Sequence, residues 1–211
     1  YFQQMSRDAR QSRSELQKEL ALEPGRPVIL FASKLQERKR CVDLVEAYKL
    51  LVDHNGCSPL PYLVIVGDGA ERDSLEEIVK AYNLEDVRFC GFRNQSELPR
   101  FFDLATVFVL PARHEPWGLI VNEVMNSGKP VILSDDIGAQ PDLVTDGIEG
   151  CVFPVGDVKA LTEALKRVLS DSSTAEEMGQ RALEKIGTWS FEEDIHALRS
   201  ALAQVTRRIS E

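Results

Sequence analysis

Cysteine is scarce and scattered. The 211-residue chain holds four, at positions 41, 57, 90 and 151, with no CxxC pair among them. Structural zinc sites need paired ligands at short spacing, so that class is excluded. Cys41, Cys90 and Cys151 each have an apolar neighbour, and the four are expected to be reduced, structural thiols in a reducing compartment. The three histidines, His54, His114 and His196, share no helical face at ligand spacing. No apolar run reaches the roughly 18 to 20 residues that a membrane span needs, and no apolar segment resembles a signal peptide. Positive charge is in deficit too, with 25 Lys and Arg against 34 Asp and Glu for a formal charge of −9. A general nucleic-acid binder needs a basic face, so nucleic acid is excluded as a partner. The GxGxxG dinucleotide fingerprint, the Walker lysine and a DxD turn are also missing.

These absences leave a soluble, cytoplasmic domain as the expectation, with a peripheral place at the inner face of a membrane open to a longer protein. The opening YFQQM reads as the remnant of a protease-cleaved purification tag, so residues 1–5 are set aside and the domain is taken as 6–211. Apolar residues make up 43% of the chain, enough for one generous domain with an ordinary core.

Unbroken apolar runs mark strands covered on both faces: 27–33, 62–67, 87–91, 106–110, 130–134 and 150–154. Between them lie segments expected to be helical. These run from about 41 to 54, with apolar Val42, Val45, Leu50 and Val52, from 70 to 82, from Ser96 with Pro99 near its start, and from 118 to 127. A short charged helix, 12–22, precedes the first strand. Three more follow the last: 157–170 with Asp157 as N-cap, 174–186, and an amphipathic tail over 190–209. The alternation predicts a parallel sheet, and ligands of such sheets bind beyond the C-terminal strand ends. The polar turns after the first five strands therefore share one rim.

Two carboxylates, Glu115 and Glu123, bracket a Pro-Trp-Gly turn on that rim. With a helix starting near Gly118, Glu115 precedes it and Glu123 lies on it, roughly 12 Å apart along the axis. A free helix N-terminus between them favours a ligand with an anionic middle and two polar ends, the shape of a sugar joined through a diphosphate to a nucleoside. The turn after the first strand gathers Ser33, Lys34, Arg38, Lys39 and Arg40 in an otherwise acidic protein, a positive knot suited to a diphosphate. Alone, it reads equally as a solvated helix start. Gly67-Asp68-Gly69 is a tight strand-to-helix turn. The run Arg88 to Phe92 brings backbone groups and an aromatic edge to a flat base, although Phe89 suits the core.

Together these residues resemble retaining, nucleotide-sugar-dependent glycosyltransferases of the GT-B architecture, the family-four type of glycosyl transferases group 1. The segment VFVLPARHEPWGLIVNEVMNSGKPVILSD is closely similar to the pattern around that family's E-x7-E element, and the likeness runs from Pro27 to Trp189. GAQPDLV resembles the GGxPE(I/L)V segment with Asp142 in place of Glu. Lys39 matches the phosphate-binding Lys, whereas Ser33, Lys34 and Arg40 replace the usual Gly, Arg and Gly; Lys34 supplies a point charge in place of a fork. The resemblance implies an α/β class fold: a Rossmann-like open parallel sheet of about six strands with helices on both faces, the C-terminal half of a GT-B fold. It implies that Glu115 contacts hydroxyls of the transferred sugar and Glu123 the ribose, that N–H groups around Gly118 and Leu119 hold the diphosphate, and that Lys34 and Lys39 neutralise the leaving charge. Lys34, Lys39 and Glu115 thus form the catalytic group. Ser33, Gly67, Arg88, Phe92, Pro116, Trp117, Gly118, Leu119, Ile120 and Glu123 complete the donor site. No cofactor and no metal are implied. The donor is a UDP-, GDP- or ADP-sugar, and the glycan or lipid-linked acceptor belongs to an N-terminal domain absent from this chain, so the domain alone is expected to bind donor weakly and transfer nothing.

Other readings share the architecture. A nucleotide-sugar epimerase is one; a glycan phosphorylase is another and would carry lysine-bound pyridoxal phosphate. A non-catalytic, receiver-like nucleotide-binding module would show an acidic cluster after the first strand, where this chain is basic.

Overall fold

The computed structural model describes residues 9–54, 56–189, 195 and 198–203. The apolar runs form six strands: β1 (Val28–Ala32), β2 (Tyr62–Val66), β3 (Val87–Phe89), β4 (Val107–Leu110), β5 (Val131–Ser134) and β6 (Gly150–Phe153). They make one sheet in the order β3-β2-β1-β4-β5-β6, with every pair parallel. All residues of β1, β2, β4 and β5 are buried, as uninterrupted apolar strands require. The edge strand β3 is half-buried throughout. Chain order reverses direction between β1 and β4, and this reversal opens a crevice at the C-terminal ends of those two strands.

The helices are α1 (Arg13–Glu19), α2 (Cys41–Asp53), α3 (Arg72–Ala81), α4 (Leu98–Leu104), α5 (Leu119–Met125), α6 (Gln140–Leu143), α7 (Val158–Leu169) and α8 (Ser172–Gly187). They cover both faces: α2 packs on α7 and α3, while α1 packs on α4 and α5 on α8. The predicted cap of α7 is present, Asp157 Oδ1 accepting the Ala160 N–H at 2.9 Å. Asp171 caps α8 in the same way through Ser173, which starts that helix two residues before its expected position.

Three features differ from expectation. The buried face of α2 is carried by Cys41, Leu44, Val45, Ala47, Tyr48 and Leu51, with Val42, Leu50 and Val52 only half-buried, because sheet, α3 and α7 enclose the helix on a broad arc. The GAQPDLV segment contains the extra helical turn α6, with Pro141 in its first turn, where proline's missing N–H costs nothing. The helix expected from Ser96 begins at Leu98 instead, since Glu97 ties back to the Asn94 N–H (3.0 Å) and makes a turn of the preceding residues. Residues 1–5 and most of the tail expected over 190–209 lie outside the described residues; 195 and 198–203 are helical. All four cysteines are free, and burial pushes the Cys90 and Cys151 thiols up to about 11.

Candidate functional site

Adjacent strands make adjacent loops. The loop after β1 and the loop after β4 meet over the crevice, where the Arg113 N–H donates to the Arg38 carbonyl at 2.6 Å. A one-turn 3-10 helix, Glu37–Lys39, carries Arg38 and Lys39 in the first loop. It turns Lys39 inward, so that Nζ bonds Oε2 of Glu115, with the two side chains 11% and 12% exposed. Arg38 Nη1 reaches the same oxygen at 2.9 Å from a more exposed position. Burial pushes the Glu115 carboxyl up, but Lys39 and Arg38 outweigh it and hold the group below the ordinary carboxylate range. The other oxygen of Glu115 accepts no bond from the described residues.

Gly67 makes the rim tight. Its φ is +137°, and a Cβ there would stand 1.9 Å from the Ser33 carbonyl oxygen. The Gly67 N–H donates to Gly91 O at 2.8 Å and Leu35 N–H to Asp68 O at 2.9 Å, joining the loops after β1, β2 and β3 edge to edge. Gly118, at φ +89°, turns the chain into α5, whose first turn has no side-chain cap.

These loops enclose a cavity of about 710 Å³. Ser33, Lys34, Lys39, Asp68, Arg93 and Glu115 line its polar part, and the glycines 67 and 118 lie in its wall. Its apolar part is formed by Val66, Phe92, Leu98, Leu119 and Ile120, of which Phe92 and Leu119 remain 72% and 71% exposed. On the far side of Glu115 a second cavity of about 440 Å³ is lined by His114, Pro116, Asp135 and Asp136. His114 stands there in a left-handed conformation (φ 50°), its backbone N–H and Nδ1 at 2.9 and 3.0 Å from Oδ2 of Asp136. That backbone bond, with the nearby imidazole, holds the Asp136 carboxyl below its ordinary value.

Of the residues singled out from sequence, Ser33, Lys34, Lys39, Gly67, Phe92, Glu115, Gly118, Leu119 and Ile120 thus share one cavity. Pro116 faces the smaller one. Trp117 lies outside both, its Nε1 donating to Asn122 Oδ1 at 3.0 Å and its ring tilted against Trp189. Glu123 sits one turn into α5 and takes the Gln95 amide at 3.1 Å. Burial raises its carboxyl above the ordinary range while that amide pulls the other way. Arg88 is placed elsewhere, and its expected role at the rim is corrected. Strand alternation turns it toward α1, where the guanidinium bonds the carbonyls of Leu20 and Glu85 and lies over the Tyr62 ring. Sequence reasoning missed Asp68, Arg93 and Gln95 as wall or neighbour of the site, although the GDG turn had marked the loop carrying the first. Among the described residues, no three His, Cys, Asp or Glu side chains converge to hold a metal ion, and no helix is long and apolar enough to cross a membrane.

An open parallel sheet with cations and a carboxylate gathered at the crevice between its middle strands places the chain in the Rossmann-like α/β class. The chain belongs to the family described as glycosyl transferases group 1, whose pattern matches residues 12–185. It is similar to the alpha-D-kanosaminyltransferase of Streptomyces kanamyceticus, 29% identical over 177 residues that cover 83% of this chain and 44% of the relative. In structure it resembles Anabaena HepE, solved with UDP and glucose (TM-score 0.76, 23% identity, 92% of this chain and 52% of that one). It also resembles the C-terminal domain of a glycosyl transferase group 1 protein from Francisella tularensis (TM-score 0.69, 22% identity, 89% and 92%). The sheet with helices on both faces is therefore that of GT-B C-terminal domains. The chain spans about half the length of the curated relatives it matches.

Proposed function

We propose that residues 6–211 form the donor-binding half of a retaining, nucleotide-sugar-dependent glycosyltransferase. The observation that carries this reading is the convergence of Lys34, Lys39, Glu115 and the uncapped start of α5 on one cavity over the crevice. A diphosphate lies at the α5 N-terminus, between the two lysines. Glu115 takes hydroxyls of the transferred sugar on its unpaired oxygen, Glu123 takes the ribose, and the apolar part of the cavity receives the base beside Phe92. HepE, with UDP and glucose bound, supports a UDP-sugar as the first donor to test; GDP- and ADP-sugars fit the same chemistry.

In transfer, the acceptor oxygen bonds the anomeric carbon on the face that the diphosphate leaves, and its proton passes to the departing phosphate oxygen. Lys34 and Lys39 stabilise the charge that accumulates there, so no metal is assigned a part. The glycan or lipid-linked acceptor is bound by a preceding domain, which makes this chain alone a binder and not a catalyst. The four free thiols support a cytoplasmic setting, peripheral to the membrane where the acceptor is a lipid. Calorimetry with UDP-, GDP- and ADP-glucose tests the reading: one nucleotide sugar binds the parent, and Lys39→Ala and Glu123→Ala weaken it about tenfold or more. Failure of all three to bind, or variants equal to the parent, overturns it.

A further inference from the structure

Among the described residues, the Glu123 carboxylate has one polar side-chain partner, and it comes from another loop. Gln95 lies between β3 and α4, 28 positions away in sequence, in the same loop that sends Phe92 and Arg93 to the large cavity. Its Nε2 donates to Oε1 of Glu123 at 3.1 Å. An amide is well suited to that place. It contributes no charge, and it fixes one oxygen of a carboxylate that otherwise rotates on a flexible stem. A carboxylate has about four lone-pair sites, so after one is given to Gln95 it still accepts two further hydroxyls, one on each oxygen. A vicinal diol presents two such hydroxyls, and the ribose of a nucleotide is a vicinal diol.

We propose that Gln95 is a positioning residue for nucleotide recognition, holding the Glu123 carboxylate as the acceptor of the 2′- and 3′-hydroxyls while pinning the loop that carries Phe92 against α5. The inference rests on the donor-site reading above. Among the described residues, α8 included, the influences on the Glu123 carboxyl are its burial, which raises it, and the Gln95 bond, which lowers it. Removing the amide moves the carboxyl further up, so diol recognition fades at a higher pH on the acid side. Replacing it with a second carboxylate does so more strongly, because two carboxyls at hydrogen-bond distance share a proton.

The test measures binding of UDP and 2′-deoxy-UDP by calorimetry between pH 5 and 8, with the GDP and ADP pairs run alongside, for the parent, Glu123→Gln, Gln95→Ala and Gln95→Glu. The parent favours the ribonucleotide about tenfold. Gln95→Ala lowers that preference to about twofold, leaves the deoxynucleotide affinity within twofold of the parent and shifts the acid limb upward; Gln95→Glu shifts it further. Thermal unfolding of each variant separates loss of folding from loss of recognition, since a merely structural role weakens both nucleotides alike. A preference that survives Gln95→Ala but disappears in Glu123→Gln overturns the inference and leaves the donor reading standing. A preference that survives Glu123→Gln removes Glu123 from ribose recognition and overturns the inference, whereas failure of every nucleotide to bind the parent overturns the donor reading itself.

Discussion

Glu115 and Lys39 hold the two sides of the crevice together, and their contact sets how the site responds to pH. Both side chains are almost out of water, so separating the charges leaves a carboxylate with only the half-exposed Arg38 as partner. Lys39→Met is expected to lower stability by about 1–3 kcal/mol at pH 7, as urea unfolding would show. The sign follows from the direction of the Glu115 shift. Its carboxyl is held below 4.5 in the folded chain, so the stabilisation is present above that value and drains away as pH falls through the depressed one. The difference between parent and variant should therefore shrink below about pH 4.5; a gap that stays constant down to pH 3 contradicts the pairing. Gly67 makes a steric case at the same scale. An alanine there meets the Ser33 carbonyl at 1.9 Å, so Gly67→Ala should cost at least about 1–3 kcal/mol and weaken nucleotide binding, because the two loops must part. The family resemblance pointed to Lys39 and Glu115. That one oxygen of Glu115 accepts both Lys39 and Arg38 depends on the 3-10 turn at 37–39, and composition says nothing about so short a turn.

At the scale of elements, local rules held where the signal was local. Asp157 was readable as a cap because a polar acceptor precedes an apolar-periodic helix, and Asp157→Ala should cost about 1 kcal/mol, seen as a drop of about 2–4 °C in Tm. Arg40 was not readable. From sequence it is only a departure from the family's usual glycine, whereas the structure uses it within its own turn. Arg40 adopts a left-handed backbone (φ 51°) and clasps both oxygens of Asp43, itself 4% exposed, at 2.6 and 3.0 Å. Restoring glycine would relieve backbone strain of about 1–2 kcal/mol but strip a buried carboxylate of its bidentate partner. The second loss is larger for a charged, desolvated group. Arg40→Gly should therefore destabilise the chain by about 1–3 kcal/mol in denaturant titration, and a stabilised variant would show that the pair contributes less than the strain. Arg88 failed for a related reason: its strand was recognised, but the face on which it points depends on what α1 and Tyr62 offer it.

Over the whole molecule, strand and helix alternation sufficed for a parallel sheet, but the strand order that creates the crevice arises from long-range pairing of β1 with β4 and has no local signature. That order places a cluster of cations in a protein of net charge −9, and the contrast has a measurable consequence. For a nucleotide diphosphate bound as proposed, charge far from the cavity repels and is screened over about 10 Å at 0.1 M salt, whereas Lys34 and Lys39 would act at contact range. Added salt therefore weakens the attraction at exposed Lys34 while also relieving the long-range repulsion, and the buried end of the site at Lys39 feels little of either. UDP affinity should accordingly fall only a fewfold between 50 and 500 mM NaCl, and Lys34→Ala should flatten the dependence more than Lys39→Ala does. The same geometry bears on catalysis. Phe92 and Leu119 stand exposed beside the cavity, so a donor held as proposed above would have its reactive end open to water on that side. On the proposed reading, a second domain that closes over the cavity would exclude this water and protect the sugar from hydrolysis. Incubated with the nucleotide sugar it binds, the 211-residue chain should form a complex, yet release no free sugar above background and modify no added glycan. Turnover by this chain alone would show that the crevice contains the full catalytic apparatus and that the acceptor site lies within these residues.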